Sequence, residues 1–185
     1  MQNIIVLTAF GLMVIVLFLQ GISLKHLKIG IFGKPPIQKF WFVISKFSLF
    51  GTIILCNLKA IHKEPFQTNT PDYLIWSGIT LIVIGCAIEI ISFINLGMAL
   101  KFGLPEEKTT LKTKGLYSLS RNPIYLGFFV VCIGSLCYYP NIVNLILIVT
   151  TVYLHYKITL AEEKFLEKTF GKEWEIYKNK VRRYI

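Results

Sequence analysis

The chain has 185 residues, of which 54% are hydrophobic, and its formal net charge at pH 7 is +10. Uninterrupted apolar runs dominate it, and about 20 apolar residues are enough to cross a bilayer, so the composition excludes an ordinary soluble domain and predicts an integral membrane protein. In such a protein an excess of Lys and Arg marks the cytoplasmic loops, and we therefore predict membrane lipids, not nucleic acid, as partners.

Five transmembrane spans are predicted in chain order, at about 4–24, 40–58, 73–100, 123–139 and 142–156. The first lacks the basic start and the cleavage site of a signal peptide, so we expect it to stay as a helix. The third is longer than a bilayer core and is expected to bend or emerge near Gly97. Only Pro140 and Asn141 separate the last two, which predicts an antiparallel helical hairpin.

The segment after the fifth span, 157–185, is charged and helical in pattern. Its residues Phe170, Trp174, Tyr177, Val181 and Tyr184 are spaced 4, 3, 4 and 3 apart, which is one face of a helix. We expect a break at Gly171, and an amphipathic helix on an anionic leaflet is one interpretation of the outer half. The whole chain, 1–185, is thus predicted to be one all-α domain: an integral membrane bundle of five transmembrane helices with a cytoplasmic C-terminal amphipathic segment.

Charge predicts the topology. Five spans place the regions 25–46, 101–121 and 157–185 on one side of the membrane, and these contain 18 of the 20 Lys and Arg residues. The positive-inside rule then predicts an outside N-terminus and a cytoplasmic C-terminus. The four cysteines form no C-x-x-C pair and the three histidines are scattered, so no metal site is predicted.

The segment from Lys114 to Gly127 reads K-G-L-Y-S-L-S-R-N-P-I-Y-L-G and leads directly into the fourth span. Pro123 fits the first turn of a helix, and Ser120 and Asn122 are expected to cap the free N–H groups of that turn. Arg121 then lies beside a helix N-terminus with a positive partial charge, which favours an anionic group of a ligand. The alternative is a capped turn between two membrane helices.

Three acidic residues are candidates for function. Glu162 and Glu163 extend the fifth span and oppose the helix macrodipole, which favours a cationic ligand, although a solvated helix end is the alternative. Glu89 is the one charge in the third span, where an ionisable residue is a functional candidate unless it pairs with Lys46 or Lys101. Lys46, near the start of the second span, is expected to extend to the headgroups.

With both motifs in view, the chain resembles the isoprenylcysteine carboxyl methyltransferase family and its phospholipid N-methyltransferase relatives. The resemblance covers about the last 80 residues, and the matching positions are Leu111, Gly115, Tyr117, the run from Arg121 to Gly127, Glu162, Glu163, Leu166, Phe170, Gly171 and Tyr177.

This resemblance implies an S-adenosylmethionine-dependent methyltransferase, with the cofactor at the cytoplasmic face and a lipophilic substrate entering from the bilayer. The cofactor-binding residues that it implies are Leu111, Gly115, Tyr117, Arg121, Asn122, Pro123, Tyr125, Gly127, Glu162 and Tyr177. Arg121, Glu162 and Glu163 are the implied catalytic residues. Arg121 would hold the cofactor's carboxylate, one glutamate would face its amino group or sulfonium, and the other would orient the nucleophile.

Two departures bear on the substrate. Family members often have His at the position of Asn122, and the prenylcysteine enzymes tend to have an arginine about a turn before the paired acids, where this chain has Ile158 and Thr159. Lys157 is the nearest cation, and lysine is not equivalent to arginine for a carboxylate. Carboxyl methylation of an isoprenylcysteine-like group is the first prediction, and phospholipid N-methylation or small-thiol methylation is the alternative. A sterol-reductase-like enzyme and a non-catalytic lipid-binding protein are competing hypotheses.

Overall fold

The computed structural model describes residues 2–27, 30, 32–105 and 109–185, and the chain there is helical apart from its connections. The six α-helices are α1 (Gln2–His26), α2 (Lys39–Ala60), α3 (Asp72–Leu96), α4 (Pro123–Tyr138), α5 (Ile142–Phe170) and α6 (Lys172–Lys180). Short 3-10 helices at Gly97–Ala99 and Gly115–Ser118 flank the connection between α3 and α4. The all-α prediction is confirmed.

Four helices, α1, α2, α3 with its 3-10 extension, and α5, are long and apolar enough to cross a membrane. Helix α4 has 16 residues, which at 1.5 Å per residue is about 24 Å, shorter than a hydrocarbon core of about 30 Å. Large apolar side chains on the outside, among them Phe18 and Phe47, are exposed as they are on a lipid-facing surface. The protein is therefore a multi-pass membrane protein, and a fifth crossing by α4 stays a prediction.

The helix ends agree with the sequence patterns except in the C-terminal region. Helix α3 ends at Leu96, where Gly97 takes a φ of 52°, as expected. Helix α5 is longer than the predicted fifth span and continues without interruption to Phe170. The break at Gly171 is confirmed, with a φ of 50°. The prediction of a helical face reaching Tyr184 is wrong, because α6 ends at Lys180 and the chain is extended from Val181.

Close approach of α3 and α4 forms the centre of the bundle. A Cβ atom on Gly78 of α3 would lie 2.5 Å from the backbone nitrogen of Tyr138 in α4, and a Cβ on Gly134 of α4 would lie 2.8 Å from the carbonyl oxygen of Gly78. Small residues at such crossings let helix backbones pack directly, which is a common basis of helix association in membranes. The rest of the bundle is arranged around this pair.

Hydrogen bonds from polar side chains join the other helices, one between α5 and α2 and one between α1 and α3. Thr151 of α5 donates a hydrogen bond to Ser48 of α2 at 3.0 Å. Gln20 of α1 donates to the carbonyl of Phe93 in α3 at 2.7 Å. In low dielectric these bonds orient helices that hydrophobicity alone would leave free to rotate. The bond between Thr151 and Ser48 fixes which faces of α2 and α5 meet.

Two loops come together at one end of the bundle. Lys34 and Leu104 exchange two backbone hydrogen bonds, at 2.9 and 2.8 Å, in one of two isolated β-bridges recorded among the described residues. The connection after α1 is thereby held against the connection after α3. Both regions were predicted to lie on the same, cytoplasmic side, and their pairing agrees with a shared side.

Candidate active site

One cavity opens between the helices at the loop end of the bundle, with a volume of about 1140 Å³ when the solvent at its mouth is included. Its walls come from α2 to α6 and from the loop before α4. At the helix end the walls are largely aromatic and apolar, as with Phe42 and Phe128, whereas Thr109, Thr110 and Lys112 supply polar groups at the loop end. A pocket with an apolar body and a few convergent polar groups is the usual form of a small-molecule site.

The cavity brings together most of the residues singled out in the sequence. Seven of the predicted site residues line it, namely Leu111, Tyr117, Arg121, Asn122, Tyr125, Glu162 and Tyr177. Four others, Gly115, Pro123, Gly127 and Glu163, lie behind that lining. The R-N-P motif and the two adjacent glutamates therefore belong to one site.

Glu163 is the centre of a buried ionic cluster. Its carboxylate accepts hydrogen bonds from Asn122 Nδ2 at 2.8 Å, from Arg121 Nε at 3.1 Å and from Arg183 Nε at 3.0 Å. The side chains of Arg121 and Glu163 are each 8% exposed. A carboxylate paired with two guanidinium groups is held firmly in one position, and Glu163 is not among the residues that line the cavity.

The guanidinium of Arg121 also has all of its nitrogens hydrogen-bonded within the protein. Besides Glu163, its guanidinium binds the carbonyls of Lys178 at 3.0 Å and Val181 at 2.8 Å, and it stacks 5.7 Å from the ring of Trp174. All three of its nitrogens thus donate to protein acceptors. Arg121 fastens α6 and the residues after it to the start of α4.

The expected caps of α4 are absent from the described residues. No side chain caps the helix at Asn122, since its amide donates to Glu163 instead. Ser120 accepts from the backbone N–H of Asn122, outside the helix, at 3.2 Å. The prediction that these two residues cap the helix is therefore wrong, because the Asn122 side chain is turned towards the carboxylate of Glu163 and the Ser120 hydroxyl accepts an N–H that precedes the helix.

The last residues of the chain form a strap over this cluster. The strap, residues 181–185, follows α6 and is not helical, and its carbonyls at Arg182 and Arg183 accept the backbone N–H groups of Arg121 at 2.9 Å and Asn122 at 3.2 Å. Tyr184 packs edge-on against Phe129 at 5.3 Å. The strap was not predicted, because its apolar spacing continues that of a helix.

Glu162 is directed differently from its neighbour. It lines the cavity and accepts a hydrogen bond from the hydroxyl of Tyr125 at 2.8 Å. Successive residues on a helix point about 100° apart, so adjacent glutamates cannot share a direction. Glu162 is the carboxylate that a cationic ligand in the cavity would meet.

A second hydrogen bond orders the loop end of the cavity. The hydroxyl of Tyr177 donates to the carbonyl of Tyr117 at 2.6 Å. Burial raises the pKa of Tyr177 to about 12, so the hydroxyl keeps its proton at neutral pH. Gly115 allows the approach of Asn95, whose side chain accepts from the N–H of Leu116 at 2.8 Å. Gly115 has a φ of 65°, where other residues are strained.

Glu89 lies outside the cavity lining, at the crossing of α3 and α4. It is 2% exposed, and a Cβ atom on Gly127 would approach its Cγ at 2.6 Å. Gly127 therefore makes room for Glu89, which explains its place behind the site. The suggested pairing with Lys46 is not formed, since the Lys46 side chain lies over the ring of Phe42 and lines the cavity.

Lys46 and His155 are two residues whose position sequence reasoning missed. Lys46 extends into the cavity and not only towards headgroups. His155 is buried and packs against Tyr125 and Phe128, at 5.8 and 5.3 Å between ring centres. The signal for His155 was its spacing, because it lies seven positions before Glu162, which places both on one face of α5.

Comparison with known proteins identifies the family of this chain. The sequence profile of the phospholipid methyltransferase family matches residues 73–173, which is more than half of the chain and contains both motifs. The chain belongs to the phospholipid methyltransferase family. No solved structure matches the chain.

The alignments with named relatives cover only part of this chain. The protein-S-isoprenylcysteine O-methyltransferase of Saccharomyces cerevisiae is 31% identical over 56% of this chain and 45% of its own length. A probable protein-S-isoprenylcysteine O-methyltransferase of Oryza sativa is 26% identical over 59% of each chain. The aligned region is thus about half the length of these relatives.

A third match has a different name. The low affinity potassium transport system protein Kup of Yersinia pestis is 28% identical over 64% of this chain, but over 17% of its own length. A match to so small a part of a transporter carries no argument about transport here.

Proposed function

We propose that this protein is a membrane-embedded, S-adenosylmethionine-dependent methyltransferase whose acceptor is lipophilic, first of all the carboxyl group of an isoprenylcysteine-like molecule. The supporting observation is the single cavity that joins the R-N-P segment to Glu162, in a chain of the phospholipid methyltransferase family. Phospholipid amines and small thiols are the alternative acceptors. The N-terminus lies outside and the C-terminus in the cytoplasm, where the cofactor is available.

The residues of the cavity fit the cofactor. Glu162 supplies a carboxylate for a cationic group, and Lys112 supplies a cation at the loop end for a carboxylate. Trp174 and Tyr177 of α6 supply aromatic surface for a purine ring. An apolar helix end beside a polar loop end matches a cofactor from the cytoplasm meeting an acceptor from the bilayer.

S-adenosylmethionine, when bound, would supply a methyl group activated by a positively charged sulfur, and Glu162 and Lys112 are the residues that would hold its charged groups. The protein's contribution is positional. Glu162, held by Tyr125, fixes the cationic end of the ligand. The aromatic wall excludes water, and the Glu163 cluster keeps α4, α5 and the strap in register. In this arrangement Arg121 is a positioning residue.

The test is cofactor binding by calorimetry, followed by transfer of a tritiated methyl group to prenylcysteine, phosphatidylethanolamine and a small thiol in parallel. We expect the wild type to bind S-adenosylmethionine and not NADPH. Glu162→Gln should weaken that binding at least tenfold, which is about 1.4 kcal/mol. Glu167→Gln is the control, since Glu167 is an exposed residue of the same helix. Binding of NADPH alone, or of neither cofactor, would refute the proposal.

A further inference from the structure

A lysine in an apolar helix lines the helix end of the cavity. Lys46 belongs to α2, and its ammonium lies 4.8 Å from the ring centre of Phe42, one turn nearer the helix N-terminus. Helical side chains tilt in this direction, so the ammonium is carried towards the cavity. The bond between Ser48 and Thr151 fixes this face of α2 against α5.

Two ionisable residues of α5 belong to the same end of the cavity. Glu162 lines the cavity together with Lys46, and His155 packs against Tyr125 and Phe128 of the lining. His155 Nδ1 lies 2.9 Å from the Thr151 carbonyl, so it carries the proton, and Nε2 has no hydrogen-bond partner among the described residues. An ammonium has three donors, yet within the described part of the chain the Lys46 ammonium makes no hydrogen bond or ion pair and lies over the ring of Phe42. The charge and the N–H donors of Lys46 are therefore available to a ligand in the cavity.

The other cations near Glu162 and Glu163 have other partners or lie in other places. Arg121 donates to Glu163 and to two carbonyls. Lys157, the cation that precedes the two acids, is exposed and lies 5.7 Å from the ring of Tyr153. Lys164, which directly follows the two acids, is also exposed. Lys112 belongs to the loop end, with the proposed cofactor carboxylate. Lys46 is therefore the cation placed to act on a ligand at the helix end, where the lipophilic acceptor enters.

We propose that Lys46 binds an anionic group of the methyl acceptor, a carboxylate or a phosphate, between α2 and α5. This inference rests on the proposed function. Lys46 and Glu162 then bracket the acceptor's polar group with opposite charges, in a low-dielectric site where such attractions are strong. A prenylcysteine would present its carboxylate to Lys46. A phosphatidylethanolamine would present its phosphate there and its amine to Glu162.

The experiment compares matched acceptors on the wild type and on Lys46→Met, Lys46→Arg and Lys157→Met, with the full-length protein in nanodiscs. For the carboxylate source, the probes are N-acetyl-S-farnesylcysteine and its uncharged carboxamide. For the phosphate source, they are phosphatidylethanolamine and the matching diacylglycerol, which keeps the two acyl chains and is uncharged. Dissociation constants are measured by calorimetry, so the comparison does not depend on turnover, and binding of S-adenosylmethionine is measured on each variant.

We expect Lys46→Met to weaken binding of one anionic probe at least tenfold, with the uncharged partner probe and S-adenosylmethionine unaffected. Lys46→Arg, which keeps the positive charge, should still bind the anionic probe more tightly than Lys46→Met does, and Lys157→Met should behave as the wild type. The proposal is overturned if charged and uncharged probes weaken equally, if neither anionic probe binds the wild type, or if S-adenosylmethionine binding falls with Lys46→Met, which would assign Lys46 to the cofactor. Failure of the wild type to bind S-adenosylmethionine is a separate result that refutes the proposed function.

Discussion

Removing the Arg183 side chain tests whether its ion pair holds the C-terminal strap in place. Arg183 donates to Glu163 Oε2 through Nε at 3.0 Å and Nη2 at 2.9 Å, while its backbone carbonyl accepts the N–H of Asn122 at 3.2 Å. In Arg183→Met the two side-chain bonds disappear but the backbone carbonyl is unchanged. Any release of the strap would then come from the lost ion pair.

The magnitude follows from burial. Hydrogen bonds to charged groups contribute about 1.5–3 kcal/mol, but the Arg183 side chain is 33% exposed, so solvent screens the pair and the value is reduced to about 1–2 kcal/mol. Glu163 keeps Arg121 and Asn122 as partners, so no buried charge is left alone. A loss of this size raises the open population of the strap by about 5- to 30-fold.

Hydrogen exchange read by mass spectrometry measures this opening directly. The amides of Arg121 and Asn122 donate to the strap, so their exchange in Arg183→Met should be faster by the same factor. Arg182→Met is the matched control, because the Arg182 side chain is exposed while its carbonyl makes the equivalent backbone bond. Equal exchange in the two variants would show that the strap is held without the ion pair.

Two further substitutions test packing and polar order. Gly134→Ala should reduce the free energy of unfolding by about 1–3 kcal/mol, because the new methyl would lie 2.8 Å from a carbonyl oxygen of α3. Gly11→Ala is the control, since the space around Gly11 is open. Equal stabilities of the two variants in a detergent denaturation series would contradict the packing argument. Tyr177→Phe should cost about 1–3 kcal/mol in the same assay because the buried carbonyl of Tyr117 loses its donor, whereas Tyr73→Phe, at an exposed site, should cost nothing measurable.

The meeting of the two motifs could be predicted from helix geometry. An antiparallel hairpin that turns at Pro140 and Asn141 returns along α4 at 1.5 Å per residue, so a residue of α5 as far from the turn as Arg121 lies near position 160. Glu162 and Glu163 are the second and third residues after that position. Their convergence with the R-N-P segment therefore depends only on chain direction and length, which the sequence encodes locally.

The strap and the direction of Lys46 depend on long-range partners instead. Val181 and Tyr184 have helical spacing, but the carbonyls between them bind the N–H groups before α4. Periodicity contains no information about such a partner. Likewise, the face of α2 that meets α5 is set by the bond between Ser48 and Thr151, so the position of Lys46 in the cavity could not be read from its place in an apolar run.

The adjacent glutamates show how the helix itself divides their roles. Because neighbouring side chains on α5 point about 100° apart, one carboxylate can face the cavity only if the other turns towards α4 and the strap. Glu163 points towards α4 and the strap and forms ion pairs with both Arg121 and Arg183, which neutralise its buried negative charge. Glu162 is left with the hydroxyl of Tyr125 and retains capacity for a ligand. The Glu163 cluster thus sets the rotation of α5, and through it the position of Glu162 in the cavity.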